Sequence, residues 1–270
     1  MNLKVSFLGG GNIAEAIARS VIEAKLLSPE EISVSDVKKE RLDYLVDKYK
    51  VNVFSNNKEA IRETDVIILS VKPVVLNQVI DEIKNEVNTT QSIISVVAGI
   101  NTTDIEDRFN KKVSVIRAMP NMPVLIREGI SAISLGKYVQ EEEEKAAFTI
   151  FKTVGEVVKA EESLMNAITA LSGSGPAYVF TFIEALVDAG VELGISREIS
   201  LKLVTETIKG AVLTILKTGE HPVLLKEKVT SPGGTTIAAL NTLEESGFRS
   251  AIIKAVKKAA QRASELSAEN

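Results

Sequence analysis

The first candidate site in the sequence is a glycine-rich turn, Gly9-Gly10-Gly11-Asn12-Ile13-Ala14, which directly follows a short apolar run. Its spacing is G-x-G-x-x-A, in which Gly9 permits a tight turn and Gly11 lets the backbone approach a pyrophosphate. Small Ala14 lets the next helix pack closely on a sheet, and the start of that helix offers unpaired N–H groups to phosphate. The turn therefore predicts dinucleotide binding, and a purely structural turn is the alternative.

The residues after the second apolar run bear on which nicotinamide cofactor would bind. Asp36 stands where an acidic side chain accepts hydrogen bonds from a ribose 2′-OH, which favours NAD. Lys38, Lys39 and Arg41 follow at once, and basic groups there would suit the 2′-phosphate of NADP. A solvated first turn of a helix is the alternative for these three cations. The sequence leaves the choice between NADP(H) and NAD(H) open.

Polar or rigid segments also follow the later apolar runs, and ligands of doubly wound sheets bind beyond the carboxyl ends of strands. Asn57-Lys58 follows the third run, where it would frame an adenine. Ser70-Val71-Lys72-Pro73, Val97-Ala98-Gly99 and Met119-Pro120-Asn121-Met122-Pro123 follow the fourth, fifth and sixth runs. Lys72 is the only cation on these last three segments, and an ordinary exposed lysine is the alternative.

Three motifs lie in the second half of the chain. Ser231-Pro232-Gly233-Gly234-Thr235-Thr236 places several backbone N–H groups and two hydroxyls at a helix start, which would bind a carboxylate; a capped turn is the alternative. Ser172-Gly173-Ser174-Gly175-Pro176 precedes an apolar helix, with Pro176 at its first position and Ser174 as its cap. His221 precedes Pro222, and its position favours a capping or packing role over a catalytic one.

The composition excludes several classes of chemistry. The 270 residues include no cysteine and one histidine, which excludes disulfides, thiolate nucleophiles, Cys-ligated zinc and multi-His metal sites. With 32 basic and 36 acidic residues the net charge is −4, so we expect no nucleic-acid partner. The N-terminal apolar run is too short for a signal peptide, and no window of about 20 residues lacks charge. We therefore expect a cytoplasmic protein with no membrane partner.

Two kinds of structure must position these motifs. Up to residue 162, Val- and Ile-rich runs alternate with helical patterns, which predicts an α/β domain with a parallel, doubly wound sheet. Residues 163–270 are predicted to be all-helical, and the helix from Ala177 to Leu193 is so apolar that we expect a second subunit to cover it. The predicted strands are Leu3–Leu8, Ile32–Ser35, Val51–Phe54, Val66–Val71, Ser92–Ala98, Val113–Ala118, Ile130–Leu135 and Glu156–Lys159. The predicted helices include Ile13–Ala24, Lys39–Tyr49, Pro176–Leu193, Arg197–Thr218, Pro222–Lys228, Thr235–Glu245 and Phe248–Leu266.

Taken together, these motifs resemble those of the pyrroline-5-carboxylate reductases, and the resemblance covers essentially the whole chain. It is carried by the segments 7–14, 71–73, 117–121, 171–178, 219–222 and 229–237. The Leu-Ser-Gly-Ser-Gly-Pro-Ala-Tyr run and the Ser-Pro-Gly-Gly-Thr-Thr motif are highly specific to that family, whereas the glycine turn is not.

The resemblance implies a Rossmann-type N-terminal domain followed by an all-α C-terminal dimerisation domain, in a homodimer that often assembles further into a decamer. It implies hydride transfer from NADPH or NADH to the C=N bond of (S)-1-pyrroline-5-carboxylate, which gives L-proline in the last step of proline biosynthesis. One alternative is a related NAD(P)H-dependent reductase of another cyclic imine or of a keto or hydroxy acid. Another is a cofactor-binding scaffold without chemistry.

The resemblance also implies which residues form the site. The pyrophosphate would be held by Leu8, Gly9, Gly10, Gly11, Asn12 and Ile13, and the adenosine end would meet Ser35, Asp36, Lys38 and Asn57. The nicotinamide end would be lined by Ser70, Val71, Lys72, Pro73, Val96, Val97 and Ala98. The substrate would meet Asn121, Glu162, Lys228, Ser231, Gly233, Gly234, Thr235 and Thr236, with Thr236 and Lys72 as the catalytic candidates. We expect no metal ligands. The dimer would bring one subunit's helical domain to the other's cofactor.

Overall fold

A computed structural model describes residues 3–269. The chain divides into two compact units, one running to residue 174 and including the segment from 259 onward, the other formed by residues 175–258. The first unit extends past residue 162 because the following turns pack against the sheet, where Met165 is fully buried. The predicted boundary at 162 marks instead the change from strands to helices, and it stays a prediction.

An eight-stranded sheet forms the centre of the first unit. Its strands are β1 (Val5–Leu8), β2 (Ile32–Ser35), β3 (Asn52–Phe54), β4 (Val66–Leu69), β5 (Ser92–Ser95), β6 (Ser114–Pro120), β7 (Gly129–Leu135) and β8 (Gly155–Lys159). Their order is β3-β2-β1-β4-β5-β6-β7-β8. Each of the eight predicted strands is present, and the doubly wound α/β arrangement is confirmed.

One pair in this sheet departs from the parallel arrangement that the sequence predicts. Strands β6 and β7 are antiparallel, whereas the other neighbouring pairs are parallel. The link between β6 and β7 is a 3-10 helix, Met122–Ile126, and a parallel crossover needs a dozen or more residues. The chain therefore turns back beside the strand that it has just left.

Helices cover both faces of the sheet and complete two apolar cores. The helices of this unit's α/β part are α1 (Asn12–Glu23), α2 (Lys39–Tyr49), α3 (Asn57–Ala60), α4 (Pro73–Ile83), α5 (Thr102–Glu106) and α6 (Glu141–Lys152). Side chains alternate between the faces, so that Phe7 of β1 enters one core while its neighbour Leu8 enters the other. Helix α4 buries Leu76, Ile80 and Ile83, which share one face of the helix. This packing fixes the carboxyl edge of β1, β2 and β4, where the glycine turn lies.

Helices make up the rest of the chain. A 3-10 turn (Glu162–Leu164), α7 (Met165–Ile168) and a π-helical turn (Thr169–Gly173) are followed by α8 (Gly175–Glu192), α9 (Arg197–Thr218), α10 (Pro222–Lys228), α11 (Thr235–Glu245) and α12 (Phe248–Glu269). Ser174 has helical dihedral angles (φ −84°, ψ −18°) rather than the extended ones of an N-cap, so the prediction that it caps the apolar helix is wrong. Helix α9 follows its local signals, since Ser196 accepts a hydrogen bond from the N–H of Ile199, and Gly219 (φ +68°) ends the helix.

Candidate functional site

The glycine turn joins β1 to α1 and requires glycine at its first position. Gly9 has a φ of +100°, and a Cβ there would lie 2.7 Å from the carbonyl oxygen of Ser70. The Gly9 N–H donates to the Ser35 carbonyl at 2.8 Å, and the Ser70 hydroxyl donates to the Gly9 carbonyl at 2.7 Å. The ends of β1, β2 and β4 thus hold the turn from both sides.

A side chain at Gly11 would enter empty space, whereas one at Gly9 would collide with the Ser70 carbonyl. Gly11 has ordinary extended backbone angles (φ −68°, ψ −175°), and a Cβ built there meets no atom within 4 Å in the described chain. Gly11 is also the N-cap of α1, and because it has no side chain it cannot satisfy the N–H groups of the first helical turn. Open space in front of unpaired N–H groups fits the pyrophosphate of a dinucleotide.

A charged cluster behind the turn holds it in place. Arg41 of α2 donates hydrogen bonds to the carbonyl oxygen of Gly10 and to the carboxylate of Glu15. Tyr49 and Tyr44 also donate to Glu15, at 2.7 and 2.9 Å. Burial raises the pKa of Glu15, but the hydrogen bonds from Tyr49, Arg41 and Tyr44 outweigh it and lower the pKa to about 2. Arg41 therefore holds the glycine turn, and its contact with a 2′-phosphate stays a prediction.

A cleft of about 440 Å³ opens beside the turn, beyond the carboxyl ends of β1, β2 and β3. It is lined by the predicted residues Gly9, Ser35, Asp36, Asn57, Lys58 and Val71, together with Val37, Ser55, Asn56, Val75, Gln78, Val79 and Glu82. Lys38 lies outside this lining and is exposed, as is Lys39. The geometry therefore brings the predicted adenosine residues together except for Lys38.

Asp36 is held by the backbone. Its Oδ2 accepts from the N–H of Gly10 at 2.8 Å, and its Oδ1 accepts from the N–H of Lys38 at 2.9 Å. One carboxylate thus joins the glycine turn to the segment after β2. A carboxylate fixed at this position is the group that accepts a ribose hydroxyl in dinucleotide-binding folds.

The polar residues of the cleft that were missed from the sequence are Ser55, Asn56, Gln78 and Glu82. Gln78 and Glu82 form a pair. Both lie on α4, on the side that faces away from the buried Leu76 and Ile80. Their i, i+4 spacing is a signal for a polar helical face, and the Gln78 amide does donate to Glu82 at 3.2 Å. Nothing local in the sequence shows that this face meets the segment after β3.

The remaining strand ends place the other predicted cofactor residues near the same edge of the sheet. Lys72 is the N-cap of α4 and is exposed, and Pro73 is the first residue of that helix. Val97 is buried, Val96 is partly buried and Ala98 is exposed. Asn121 caps the turn between β6 and β7, where its Oδ1 accepts from the N–H of Ile130 at 3.0 Å.

The ion pair between the buried Arg117 and the partly buried Glu162 was also missed. Arg117 of β6 is 1% exposed, and its Nη1 lies 2.9 Å from Oε1 of Glu162 and 3.1 Å from Oδ1 of Asn101. Its Nη2 donates to Asn166 at 3.3 Å. The other oxygen of Glu162, Oε2, is buried and has no hydrogen-bond partner within residues 3–269. That oxygen is an acceptor available to a ligand.

The predicted carboxylate site lies in the second unit. Gly233 adopts φ +68°, and Gly234 is the N-cap of α11, so the N–H groups of its first turn donate no hydrogen bond to a capping side chain. Thr235 is exposed and Thr236 is half-buried at the start of that helix, after the exposed Ser231. The arrangement suits a carboxylate, for the same reason that the start of α1 suits a phosphate.

Two further residues of the second unit have structural partners. Lys228 forms an ion pair with Glu220, at 2.5 Å between Nζ and Oε2. His221 caps α10 by accepting from the N–H of Val223 at 3.3 Å, as its sequence position favours. Within residues 3–269 no group of three or more His, Asp or Glu could hold a metal ion.

Comparison with known proteins decides the family. Residues 162–266 match the family model described as pyrroline-5-carboxylate reductase dimerisation, and residues 4–99 match that described as NADP oxidoreductase, coenzyme F420-dependent. A pyrroline-5-carboxylate reductase of Synechocystis is 44% identical over 266 residues, which covers 98% of this chain and 99% of that protein. One of Arabidopsis thaliana is 42% identical over 266 residues, covering 98% and 96%.

Solved structures agree. The pyrroline-5-carboxylate reductase of Coxiella burnetii has a TM-score of 0.92 at 36% identity and covers 99% of both chains. The Plasmodium falciparum pyrroline carboxylate reductase, solved with NADP bound, has a TM-score of 0.90 at 33% identity and covers 98% of both chains. This chain belongs to the pyrroline-5-carboxylate reductase family.

Membership of the pyrroline-5-carboxylate reductase family confirms the resemblance seen in the sequence, the two-part fold and the class of enzyme, an NAD(P)H-dependent oxidoreductase. It also explains the apolar surface of the helical part. Leu193 and Leu216 are 82% and 73% exposed in the single chain, and both lie within the residues that match the dimerisation model. The chain therefore forms an oligomer through this part.

The apolar segment Glu162–Glu192 is also explained by burial in a subunit interface. By length and composition alone it is apolar enough to cross a membrane, and little of it is buried in the single chain. It carries Glu184 and Asp188, and it lies within the matched dimerisation residues. A subunit interface accounts for an apolar helix of this kind.

Proposed function

We propose that this chain reduces (S)-1-pyrroline-5-carboxylate to L-proline with NADP(H) as its cofactor, the last step of proline biosynthesis. The observation that carries the proposal is the glycine turn with its cleft, in a chain of this family. The open space at Gly11, the unpaired start of α1 and the fixed Asp36 carboxylate fit a dinucleotide. When bound, the nicotinamide supplies the hydride that reaches the imine carbon, C2 of the pyrroline ring, which becomes C5 of proline.

The cofactor-binding residues follow from this fit. The turn residues Gly9 to Ile13 hold the pyrophosphate, Asp36 and Asn57 meet the adenosine end in the cleft, and Ser70 to Pro73 with Val96 to Ala98 line the nicotinamide end. The positive end of α1 and the backbone N–H groups supply the charge complement. Lys72 is the cation at the nicotinamide end.

The start of α11 anchors the substrate. The N–H groups of Thr235 and Thr236 bind its carboxylate, while that of Gly234 donates to the Ser231 carbonyl at 3.1 Å. The Thr236 hydroxyl hydrogen-bonds the ring nitrogen. Glu162 contributes its buried, unpartnered oxygen Oε2 as a further acceptor. A ring nitrogen that is already protonated makes the imine carbon electrophilic, so no side chain of this chain has to act as general acid. The chain's contribution is positioning, for which well-oriented model reactions gain up to about 7–11 kcal/mol.

The assembly completes the proposal. A homodimer brings the helical domain of one protomer to the cofactor of its partner, and dimers associate further into a decamer. The protein is soluble and cytoplasmic, and it binds neither nucleic acid nor membrane, in keeping with its net charge of −4.

The test is the loss of absorbance at 340 nm when purified protein is mixed with NADPH and pyrroline-5-carboxylate, with proline measured as the product. We expect oxidation that depends on the pyrroline and yields proline. A panel of other cyclic imines and of keto acids is the control. Oxidation with a panel compound in place of the pyrroline, by folded protein, would overturn the proposed substrate.

A further inference from the structure

Glu82 is a half-buried carboxylate in the wall of the adenosine cleft, and the reduction described above does not use it. Its Oε2 accepts from Nδ2 of Asn57 at 2.7 Å, and its Oε1 accepts from Nε2 of Gln78 at 3.2 Å. In the described chain no Lys or Arg forms an ion pair with it. Glu82 therefore places a negative charge in the cleft that no Lys or Arg among residues 3–269 pairs with.

The same carboxylate fixes the orientation of Asn57. An ionised carboxylate only accepts hydrogen bonds, so the amide N–H₂ of Asn57 must face Glu82. The amide oxygen then faces Ser35, whose Oγ donates to it at 2.6 Å. One N–H of Asn57 is left to bind a ligand in the cleft. This part of Glu82's role is the same whether the adenosine ribose carries a 2′-hydroxyl or a 2′-phosphate.

The charge of Glu82 distinguishes those two ligands because the cleft has little positive charge to offset it. The charged residues in its lining are Asp36, Lys58 and Glu82, and Lys58 is 3.4 Å from Glu86. Arg41 is bound to the glycine turn and to Glu15. A 2′-phosphate adds close to two negative charges to the ligand, whereas a 2′-hydroxyl adds none.

We propose that Glu82 is a specificity-determining residue, whose carboxylate weakens the binding of NADPH relative to NADH while its hydrogen bond to Asn57 supports both cofactors. The inference rests on the proposed function only in placing the adenosine end of the cofactor in this cleft. Glu82→Gln removes the charge but keeps an acceptor for Asn57. It therefore separates the effect of the charge on NADPH from the effect of the hydrogen bond on both cofactors.

The experiment measures dissociation constants for NADPH and NADH by calorimetry, without the pyrroline. In Glu82→Gln we expect NADPH to bind about three- to tenfold more tightly, with NADH changed less than twofold. Glu82→Ala also loses the hydrogen bond to Asn57, so it weakens NADH and still shifts the ratio toward NADPH. The matched control is Asp81→Asn, which removes the same charge from an exposed position on the same helix, outside the cleft lining. It should change neither constant.

The inference would be overturned if the ratio of the NADPH and NADH dissociation constants stayed within twofold of wild type in both Glu82 variants. An equal shift in Asp81→Asn would also overturn it, since the effect would then come from overall charge rather than from the cleft. Because the titration needs no substrate, its outcome is separate from that of the turnover assay. A protein that fails to reduce the pyrroline but shows the shifted ratio refutes the proposed function alone.

Discussion

Arg117 and Glu162 form an ion pair, with 2.9 Å between Nη1 and Oε1, that joins strand β6 to the first turn after β8. Arg117 is almost completely buried, and the pair leaves Glu162 Oε2 unpartnered within residues 3–269. Removing one member of such a pair leaves an uncompensated charge in the protein interior, which is costly. The pair therefore holds one substrate-binding candidate in place, and its energetics can be measured.

Arg117→Met should destabilise the protein by about 1–3 kcal/mol, because it leaves the partly buried Glu162 carboxylate without its cation. Urea unfolding of the single variants and of the double variant Arg117→Met/Glu162→Gln measures the interaction between the two sites. We expect the double variant to be more stable than Arg117→Met alone. If the losses of unfolding free energy in the two single variants added up to the loss in the double variant, the two side chains would not be coupled.

Gly11→Ala should fold normally and lose cofactor affinity. Its backbone angles suit any residue and its Cβ meets no described atom, so the new methyl group occupies the space proposed for the pyrophosphate. We expect NADPH binding to weaken at least about tenfold, or about 1.4 kcal/mol. Gly210→Ala, another site where a Cβ meets nothing within 4 Å of the described chain, is the matched control and should bind NADPH normally. Wild-type affinity in Gly11→Ala would contradict the placement of the pyrophosphate.

Gly9→Ala, unlike Gly11→Ala, should lower the folding stability of the protein. Its φ of +100° and the 2.7 Å approach of a Cβ to the Ser70 carbonyl predict a loss of folding stability of about 1–3 kcal/mol. Thermal unfolding without cofactor tests this, and an unchanged midpoint would contradict the strained turn.

Glu15 should make stability depend on pH in the acid range. Its pKa is lowered to about 2 in the folded protein from an ordinary value of 4.5, so its stabilising effect is complete above pH 4.5. The effect is lost as the pH falls from 4.5 toward 2, where the carboxylate becomes protonated in both states. Glu15→Gln should thus cost about 2 kcal/mol at pH 7 and much less at pH 3.

Urea unfolding of wild type and Glu15→Gln at the two pH values checks this. Asp43→Asn, which changes an exposed carboxylate on α2, is the control and should show no such dependence. An equal loss in Glu15→Gln at pH 7 and pH 3 would mean that ionisation of Glu15 does not stabilise the turn.

Thr236→Ala should lower kcat/KM for pyrroline-5-carboxylate by about 10- to 100-fold, since a hydrogen bond to a charged ring nitrogen is worth about 1.5–3 kcal/mol. The affinity for NADPH should not change. Thr242→Ala on the same helix is the control, because its hydroxyl donates to the backbone of Ala238. Steady-state kinetics of both variants decide the role, and undiminished turnover in Thr236→Ala would remove Thr236 from the site.

Much of the fold could be predicted because local signals and tertiary packing agree. The bounds of α9 follow from Ser196 and Gly219, and the glycine turn follows from its spacing. The antiparallel β6–β7 pair could not be read from apolar runs, because the direction of a strand depends on the length of the link before it.

The structure brings predicted site residues together where a motif is continuous in sequence, whereas contacts that join distant segments were missed. Glu82 and Asn57 are 25 positions apart, and Arg117 and Glu162 are 45 apart, so no spacing rule connects them. Lys228 was predicted as a substrate-binding residue from its position in a motif. Its ion pair with Glu220, eight residues earlier, was not predicted.

The most direct test of the central claim is to follow the hydride itself. The protein is supplied with NADPH deuterated at both C4 positions of the nicotinamide and with unlabelled pyrroline-5-carboxylate, and the product is examined by mass spectrometry and NMR. The account predicts L-proline that carries one deuterium, located at C5. Proline without the label, or cofactor oxidation that yields no proline, would contradict it.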